Sequence, residues 1–494
     1  MIIVHAGSEV VPFSKTGGLA DVLGALPLSL GKMSHDAIIV SPLYKSVMER
    51  LKPGKPALTF TIRLNDENIT ADIYSLKINE RVTAYFIAND SLFLRDGLYV
   101  DRNNIDYKDN SKRFIFLSRA VLELIQRLNI EPDVIHSHDW QTGLVPVYMK
   151  TLYKERFSRA VSVFTIHNIG YQGTFWHFDM PLTGLGWEYF TSDYLEFYGK
   201  ISFLKAGIVF ADAVTTVSPT YSREILNPEF GYGMEGILKT RRSDLFGILN
   251  GVDYEEWSPE HDKFIPNQYS TDTIELKRDD KMVLNRMFNL DHNDAPVIGM
   301  ITRLARQKGI DLVINAAARI ISMGFKLVLL GSGDKPYEDK MKEIANRYKG
   351  RFGVRIGFDN SLAHLIEAGS DLFLMPSVYE PCGLNQMYSL RFGTVPVVRA
   401  TGGLNDTIVE YNPSSEKGNG FKFRERNADD MLSALKRAMD VFNEQSKWLR
   451  LVKTGMSYDF SWDRSAEHYE LLYKAYSIKS LLHGYSDGNS SPDT

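Results

Sequence analysis

Short apolar runs alternate with longer stretches in which apolar residues recur every three or four positions, and the rhythm persists through most of the chain. It predicts stacked strand–helix–strand units and mainly parallel sheets, an α/β protein. In the first half, apolar strands are expected at residues 2–6, 37–42, 82–88, 134–136, 161–166, 213–217 and 245–249. Residues 58–78 alternate singly between apolar and polar, as in an antiparallel excursion. Between 254 and 272 the pattern lapses into a polar segment with Pro259 and Pro266, the expected interdomain linker. The rhythm then restarts with a strand at 297–302, a helix at 310–323 and a strand at 326–330 that ends in Gly331-Ser332-Gly333-Asp334. Buried strands at 371–375 and 395–398 and helices at 428–443 and 463–478 complete the pattern. Residues 484–494 are rich in Ser, Gly and Asp, which predicts a disordered tail. The implied architecture is two doubly wound domains facing one another, with ligands at the carboxyl ends of the strands.

Length and composition narrow the class. A chain of 494 residues exceeds one ordinary core and predicts two or three domains. With 44% hydrophobic and 24% charged residues it has the balance of a soluble globular protein. A net charge of −4, with no clustering of Lys and Arg, argues against a nucleic-acid or anionic-membrane partner. The single cysteine, Cys382, excludes an internal disulfide and fits a reducing compartment. The first residues enter a strand rather than a leader pattern, and no apolar run has the length of a membrane span. The expected location is cytoplasmic, or the plastid stroma after removal of a transit peptide.

Chemistry collects where strands end. Lys15-Thr16-Gly17-Gly18-Leu19-Ala20-Asp21 follows the first strand and opens an amphipathic helix carrying Leu19, Val22, Leu23 and Leu26. Two adjacent glycines let backbone approach a ligand, the first helical N–H groups favour an anion, and Lys15 adds positive charge. The spacing is not that of the dinucleotide fingerprint, and steric need alone is the competing explanation for the glycines. Arg303 and Lys308 flank a second such turn, ahead of Gly309 and a helix, where a diphosphate would be neutralised. Tyr379-Glu380-Pro381-Cys382-Gly383-Leu384-Asn385-Gln386 follows another strand. Glu380 there could accept from sugar hydroxyls or simply favour a helix dipole.

His136-Ser137-His138-Asp139 and His167-Asn168 also sit at strand ends. Two histidines two apart, without further ligands at sensible spacing, do not make a metal site, and no metal is expected. No Ser-His-Asp order stands out, and Cys382 beside a proline reads as structural. Residues 171–203 are dense in aromatics, among them Tyr171, Trp176, Trp187 and Tyr198. They suit either stacking on the flat faces of a polysaccharide acceptor or ordinary core packing.

Lys15–Asp21, His138 to Gln141, His167 to Gly173, Phe203 to Gly207 and Ile248 to Asp253 occur in one ordered series. Arg303 to Gly309, Glu380–Gln386 and Thr401-Gly402-Gly403-Leu404 continue it. Over residues 1 to about 478 the chain resembles the bacterial glycogen synthases and plant starch synthases, which elongate α-1,4-glucans from a nucleotide sugar. The resemblance implies a glycosyltransferase-B architecture: two Rossmann-like domains facing across a deep cleft. Residues 1–253, rejoined by a C-terminal crossover helix at 462–482, form the acceptor-side domain. Residues 254–461 form the nucleotide-sugar domain, and 483–494 the tail.

By the same resemblance, Lys15, Gly17 and Gly18 lie near the donor diphosphate, and Arg303 and Lys308 are the cationic pair on it. Glu380 meets the transferred glucose, His167 lies beside the anomeric centre, and Asp139 and Asn250 line the sugar pocket. Cys382, Gly383, Leu384 and Asn385 complete the donor loop, and Phe358 stacks on the base; Tyr171, Trp176 and Tyr198 are acceptor candidates. Asn385 stands where the family usually has Thr, and Phe358 where Tyr is frequent. Tyr388 replaces a second Glu found in many related retaining enzymes, which favours the glycogen synthase branch.

The implied reaction is retaining, metal-independent transfer of glucose from ADP-glucose, rather than UDP-glucose, to the non-reducing 4-hydroxyl of glycogen, starch or maltooligosaccharide. Positive groups would stabilise the leaving diphosphate, the His167 carbonyl would face the developing sugar cation, and front-face displacement would avoid a protein nucleophile. No cofactor is needed. A sucrose-synthase-like transferase and a non-catalytic glucan-binding subunit are the alternatives.

Overall fold

The computed structural model describes residues 1–103 and 105–488, with side chains through Lys479. It divides into two compact units. The first comprises Met1–Val217, Ser222–Gly251 and the segment from Trp462 onward; the second comprises Ser218–Tyr221 and Val252–Ser461.

In the first unit the strands are β1 (Ile2–Ala6), β2 (Asp36–Pro42), β3 (Leu58–Leu64), β4 (Glu67–Lys77), β5 (Val82–Ala88), β6 (Val134–His138), β7 (Val161–Ile166), β8 (Thr174–Trp176), β9 (Glu196–Phe197), β10 (Lys200–Ser202), β11 (Ala213–Thr216) and β12 (Leu245–Gly247). The main sheet runs β12-β11-β7-β6-β1-β2-β5-β4-β3. Only β4 is reversed within it, pairing antiparallel with both β3 and β5, in the region where the single alternation at 58–78 predicts an antiparallel excursion. β1 is central: the chain builds outward through β2 and β5, then returns to add β6 on its other side. That reversal makes the carboxyl ends of β1 and β6 a topological switch point, the usual place for a ligand in an open parallel sheet. The β8-β10-β9 sheet stands apart and was not anticipated, its strands being only two or three residues long.

The helix Gly18–Lys32 buries Leu19, Val22, Leu23, Leu26 and Leu30, spaced as one helical face requires. Val22, Leu26 and Leu30 pack with Ile3 of β1 and with Trp462, Ala466, Tyr469 and Tyr473 of the last helix. This helix runs Trp462–Gly488, past both the end at 478 expected from the pattern and the end at 482 expected for the crossover helix. Residues 484–488 of the expected tail are therefore helical, because extending a packed helix costs far less than nucleating one. The rest of that expected tail, 489–494, lies outside the described residues.

The second unit has β13 (Val297–Ile301), β14 (Lys326–Gly331), β15 (Phe352–Ile356), β16 (Leu372–Met375), β17 (Val395–Arg399) and β18 (Phe421–Phe423), all parallel in the order β15-β14-β13-β16-β17-β18. Here β13 is the central strand, and the switch falls between β13 and β16. β15 and β18 were not expected.

The segment expected as a linker is instead built into the second unit. Trp257 is stacked between His364, with centroids 3.9 Å apart, and Tyr388, at 4.0 Å. His364 Nδ1 lies 2.6 Å from Asp262 Oδ2, and the Tyr269 hydroxyl donates to the Phe392 carbonyl at 2.7 Å. A few aromatics among many polar residues suffice to pin an irregular segment that lacks any apolar period. No helix among the described residues is long and apolar enough to cross a membrane.

Candidate functional site

In the first unit, the loop after β1 leads to the helix at Gly18. A residue not singled out in the sequence, Glu9, organises it. Its carboxylate accepts from the Thr16 N–H at 2.5 Å, the Gly17 N–H at 3.1 Å, the Thr16 hydroxyl at 2.6 Å and the Tyr99 hydroxyl at 2.7 Å. The Gly17 amide, expected to face a phosphate, is thus held by the protein's own anion, together with that of Thr16. What remains for an outside anion is the first helical turn, whose cap Gly17 supplies no side-chain bond. Lys15 is exposed and pairs with Asp21 at 2.7 Å.

The two glycines are not required by the fold. Gly17 has an extended φ of −153°, and a Cβ built on Gly17 or Gly18 would meet nothing within 4 Å. Neither strain nor internal crowding asks for glycine here, so the steric explanation weakens and close approach by a ligand gains.

The ends of β6 and β7 converge beside this loop. Asp139 has φ 56° and ψ −179°, a region almost reserved for glycine, at a cost of about 1–3 kcal/mol. Hydrogen bonds hold it there: its own N–H donates to the Thr165 carbonyl at 2.9 Å, and its carboxylate accepts from the His167 N–H at 2.8 Å and from the Asn168 N–H. Burial pushes the Asp139 carboxyl up to about 7, against the His167 and Asn168 amides that favour its charge. Asp139 therefore fixes the backbone of the His167 turn.

His167 Nε2 lies 3.1 Å from His138 Nδ1, and His138 Nε2 lies 3.5 Å from His5 Nδ1. Burial pulls His5 and His167 down to about 3, so both rings are neutral at physiological pH. The sequence showed only the His136/His138 pair. Parallel pairing of β1 with β6 adds His5 as a third, placing the nearest nitrogens of the three within 4.8 Å of one another. The two nitrogens of His136 contact the Tyr473 hydroxyl at 2.7 Å and the Thr165 hydroxyl at 2.6 Å. Hydroxyls and imidazoles thus occupy every nitrogen of the trio except His5 Nε2, which has no partner among the described residues. Asn250, past the end of β12, is buried, and its Oδ1 likewise lacks a partner among the described residues.

In the second unit, the loops after β13 and β16 are neighbours across the switch point, and they bring two expected residues together. Lys308 Nζ lies 2.6 and 2.9 Å from the Glu380 carboxylate, which also accepts from the Ser377 hydroxyl at 2.9 Å. Arg303 is exposed, and its guanidinium donates to Gln307 Oε1 at 3.3 Å. Gly402 and Gly403 explain the Thr401–Leu404 motif. A Cβ on Gly402, at φ 46°, would fall 1.8 Å from the Glu380 carbonyl oxygen, and one on Gly403 would fall 2.0 Å from that of Cys382. Glycine here lets one turn press on the loop that carries Glu380.

Cys382 is buried, and Gly383 takes φ 72°. Leu384 precedes the short helix Asn385–Arg391. The Asn385 amide donates to the Ile301 carbonyl at 2.8 Å, tying the loop to β13, so one of its two protons is already committed within the protein. Phe358, just beyond β15, is 88% exposed and offers an uncovered ring face.

The aromatic segment 171–203 splits between the two roles anticipated for it. Strand alternation turns Phe175 inward, against Trp140 and Phe203, and Trp176 outward. Tyr171 and Tyr198 are exposed as well. Lys200 of β10 pairs with both Trp176 of β8 and Phe197 of β9, so Trp176 lies on one edge strand of the small sheet and Tyr198 in the turn that follows the other.

Known proteins match this chain over nearly its whole length. A family model described as the starch synthase catalytic domain matches residues 2–240, and one described as glycosyl transferases group 1 matches residues 285–449. The glycogen synthase of Koribacter versatilis is 48% identical, over 96% of this chain and 98% of its own. That of Thermosipho africanus is 46% identical, over 96% and 98%. Among solved structures, the catalytic domain of starch synthase IV from Arabidopsis thaliana, bound to ADP and acarbose, matches with a TM-score of 0.86 and 32% identity, over 97% of this chain and 99% of that one. A sucrose-phosphate synthase from Thermosynechococcus elongatus, at 16% identity and a TM-score of 0.58, shares the fold. Two Rossmann-like units of the glycosyltransferase-B class, matched end to end by glucan synthases, identify the chain as a member of the glycogen synthase and starch synthase family, a glucosyltransferase that elongates glucan.

Proposed function

We propose that the chain transfers glucose from ADP-glucose to the non-reducing 4-hydroxyl of an α-1,4-glucan, with retention and without a metal. The observation that carries this is the Lys308–Glu380 ion pair at the switch point of the second unit, with the exposed Arg303 on the same loop as Lys308. Support for the donor and acceptor comes from the starch synthase relative, which was solved with ADP and acarbose.

The anomeric C–O bond to the diphosphate breaks as the bond to the acceptor oxygen forms, and the acceptor proton passes to the departing phosphate. Negative charge grows on the phosphate and positive charge on the sugar ring. In the second unit Arg303 and Lys308 stabilise the first; in the first unit Lys15 and the helix end at Gly18 offer positive charge to a phosphate. Lys308 is shared: Glu380 holds its ammonium at a defined point, and the same carboxylate accepts from sugar hydroxyls. The His167 backbone carbonyl faces the developing cation, on a turn that Asp139 fixes, and Asn250 accepts from a sugar hydroxyl through its unpartnered oxygen. Phe358 stacks on the base, with Gly383 and Leu384 forming the loop beside the phosphates. Tyr171, Trp176 and Tyr198 stack on the glucan.

Nucleotide release from ADP-glucose and UDP-glucose, with glycogen as acceptor, tests this. Faster release of ADP, with label entering glycogen, is the expected result. Transfer only to fructose or glucose 6-phosphate, or no release from either donor, contradicts it.

A further inference from the structure

The three neutral histidines form a line with a direction. His5 Nδ1 faces His138 Nε2, and His138 Nδ1 faces His167 Nε2. Each contact needs one N–H and one lone pair, so fixing the proton on any ring fixes all three. The inner end, His5 Nε2, is buried and has no partner among the described residues. If protons pointed inward, that atom would be an N–H buried without an acceptor. If they point outward, it is only an unused lone pair. Orphaned buried donors are the rarer and costlier case, so the outward arrangement wins.

We propose that His5 and His138 are positioning residues, which lock His167 in the tautomer with its proton on Nδ1 and its Nε2 lone pair facing His138. His167 then offers the sugar nucleotide a single hydrogen-bond donor, at Nδ1, and no acceptor from its ring. Burial keeps all three rings neutral, which the line requires, since one imidazolium would place two N–H groups head to head. His136 stands outside the line: its ring lies 4.0 Å from that of His138, but its nitrogens are taken by Thr165 and Tyr473. The functional half of this inference rests on the assignment of His167 to the sugar site; the tautomer half does not.

Nitrogen NMR of the full chain labelled in histidine tests it. The expected spectrum shows His5, His138 and His167 each protonated on Nδ1 and bare on Nε2, unchanged between about pH 6 and 8. A proton on Nε2 of His167, or an imidazolium at any of the three, overturns the proposal. In His5→Leu, His138 Nε2 becomes the buried end without a donor, and the same preference should keep His138 and His167 protonated on Nδ1. His5→Asp, whose ionised carboxylate only accepts, should reverse the line, moving the protons to Nε2 of His138 and His167 and lowering kcat by up to about 100-fold with KM nearly unchanged. His5→Asn, whose amide can donate from the place of Nδ1, should keep the wild-type tautomers and rate. Unreversed tautomers in His5→Asp overturn the proposal, and the wild-type spectrum decides alone if that variant does not fold. Full turnover in His167→Ala, beside the expected spectrum, would refute the sugar-site assignment and leave the tautomer line standing.

Discussion

Lys308 and Arg303 carry the same charge but differ in what the protein asks of them. Lys308 neutralises Glu380, which is nearly buried, whereas Arg303 stands exposed. Both substitutions to Ala should lower turnover by about 100-fold or more, if each stabilises the leaving diphosphate. Their effects on stability should part. Lys308→Ala strands a buried carboxylate and should cost about 1–3 kcal/mol in denaturant unfolding. Arg303→Ala should stay within about 0.5 kcal/mol of the parent. A loss in turnover below tenfold for both would remove them from the mechanism. At this scale the sequence was informative about which residue types stand at strand ends, as with Lys308 and Glu380, but not that these two pair. It was silent where partners are far apart in the chain. Glu9 meets Tyr99 across 90 residues, through two loops, and His5 meets His138 across 133, through the pairing of β1 with β6. A lone acid three residues past a strand end was the one signal that could have pointed to Glu9.

The glycine turns separate a ligand-facing element from a packing element. At Gly17 a methyl group has open space and a permitted φ, so Gly17→Ala should leave stability equal or raise it by about 0.4–1 kcal/mol. Its turnover should nonetheless fall, because the methyl would stand where the donor approaches. At Gly403 a methyl group would strike the Cys382 carbonyl, so Gly403→Ala should lower both stability and turnover by displacing Glu380. Thermal unfolding and steady-state rates on the two variants check this, and unimpaired turnover in Gly17→Ala would return that glycine to a merely steric role. Long periodic elements were legible in sequence: β1, β5 and β7 match residue for residue. The strands of the small sheet and β18 are too short to show a period, and 254–272 hid its packing in a few aromatics.

Across the whole molecule, each unit places its chemistry at a switch point of its own sheet: β1/β6 with the Lys15 and His167 turns, β13/β16 with the Arg303 and Glu380 loops. The alternation of strands and helices foretold two doubly wound sheets, and the restart near 297 foretold where the second begins. It did not reveal that Ser218–Tyr221 joins the second unit, since four residues carry no pattern. Nor did it reveal how far the last helix runs, because its later residues have a coil-like composition. The central claim is that the cations after β13 receive a sugar nucleotide's diphosphate. A crystal of the full chain soaked with ADP measures this most directly. The phosphates should lie within hydrogen-bond distance of Arg303 and Lys308; phosphates bound elsewhere, with both side chains remote from them, would contradict the mechanism proposed here.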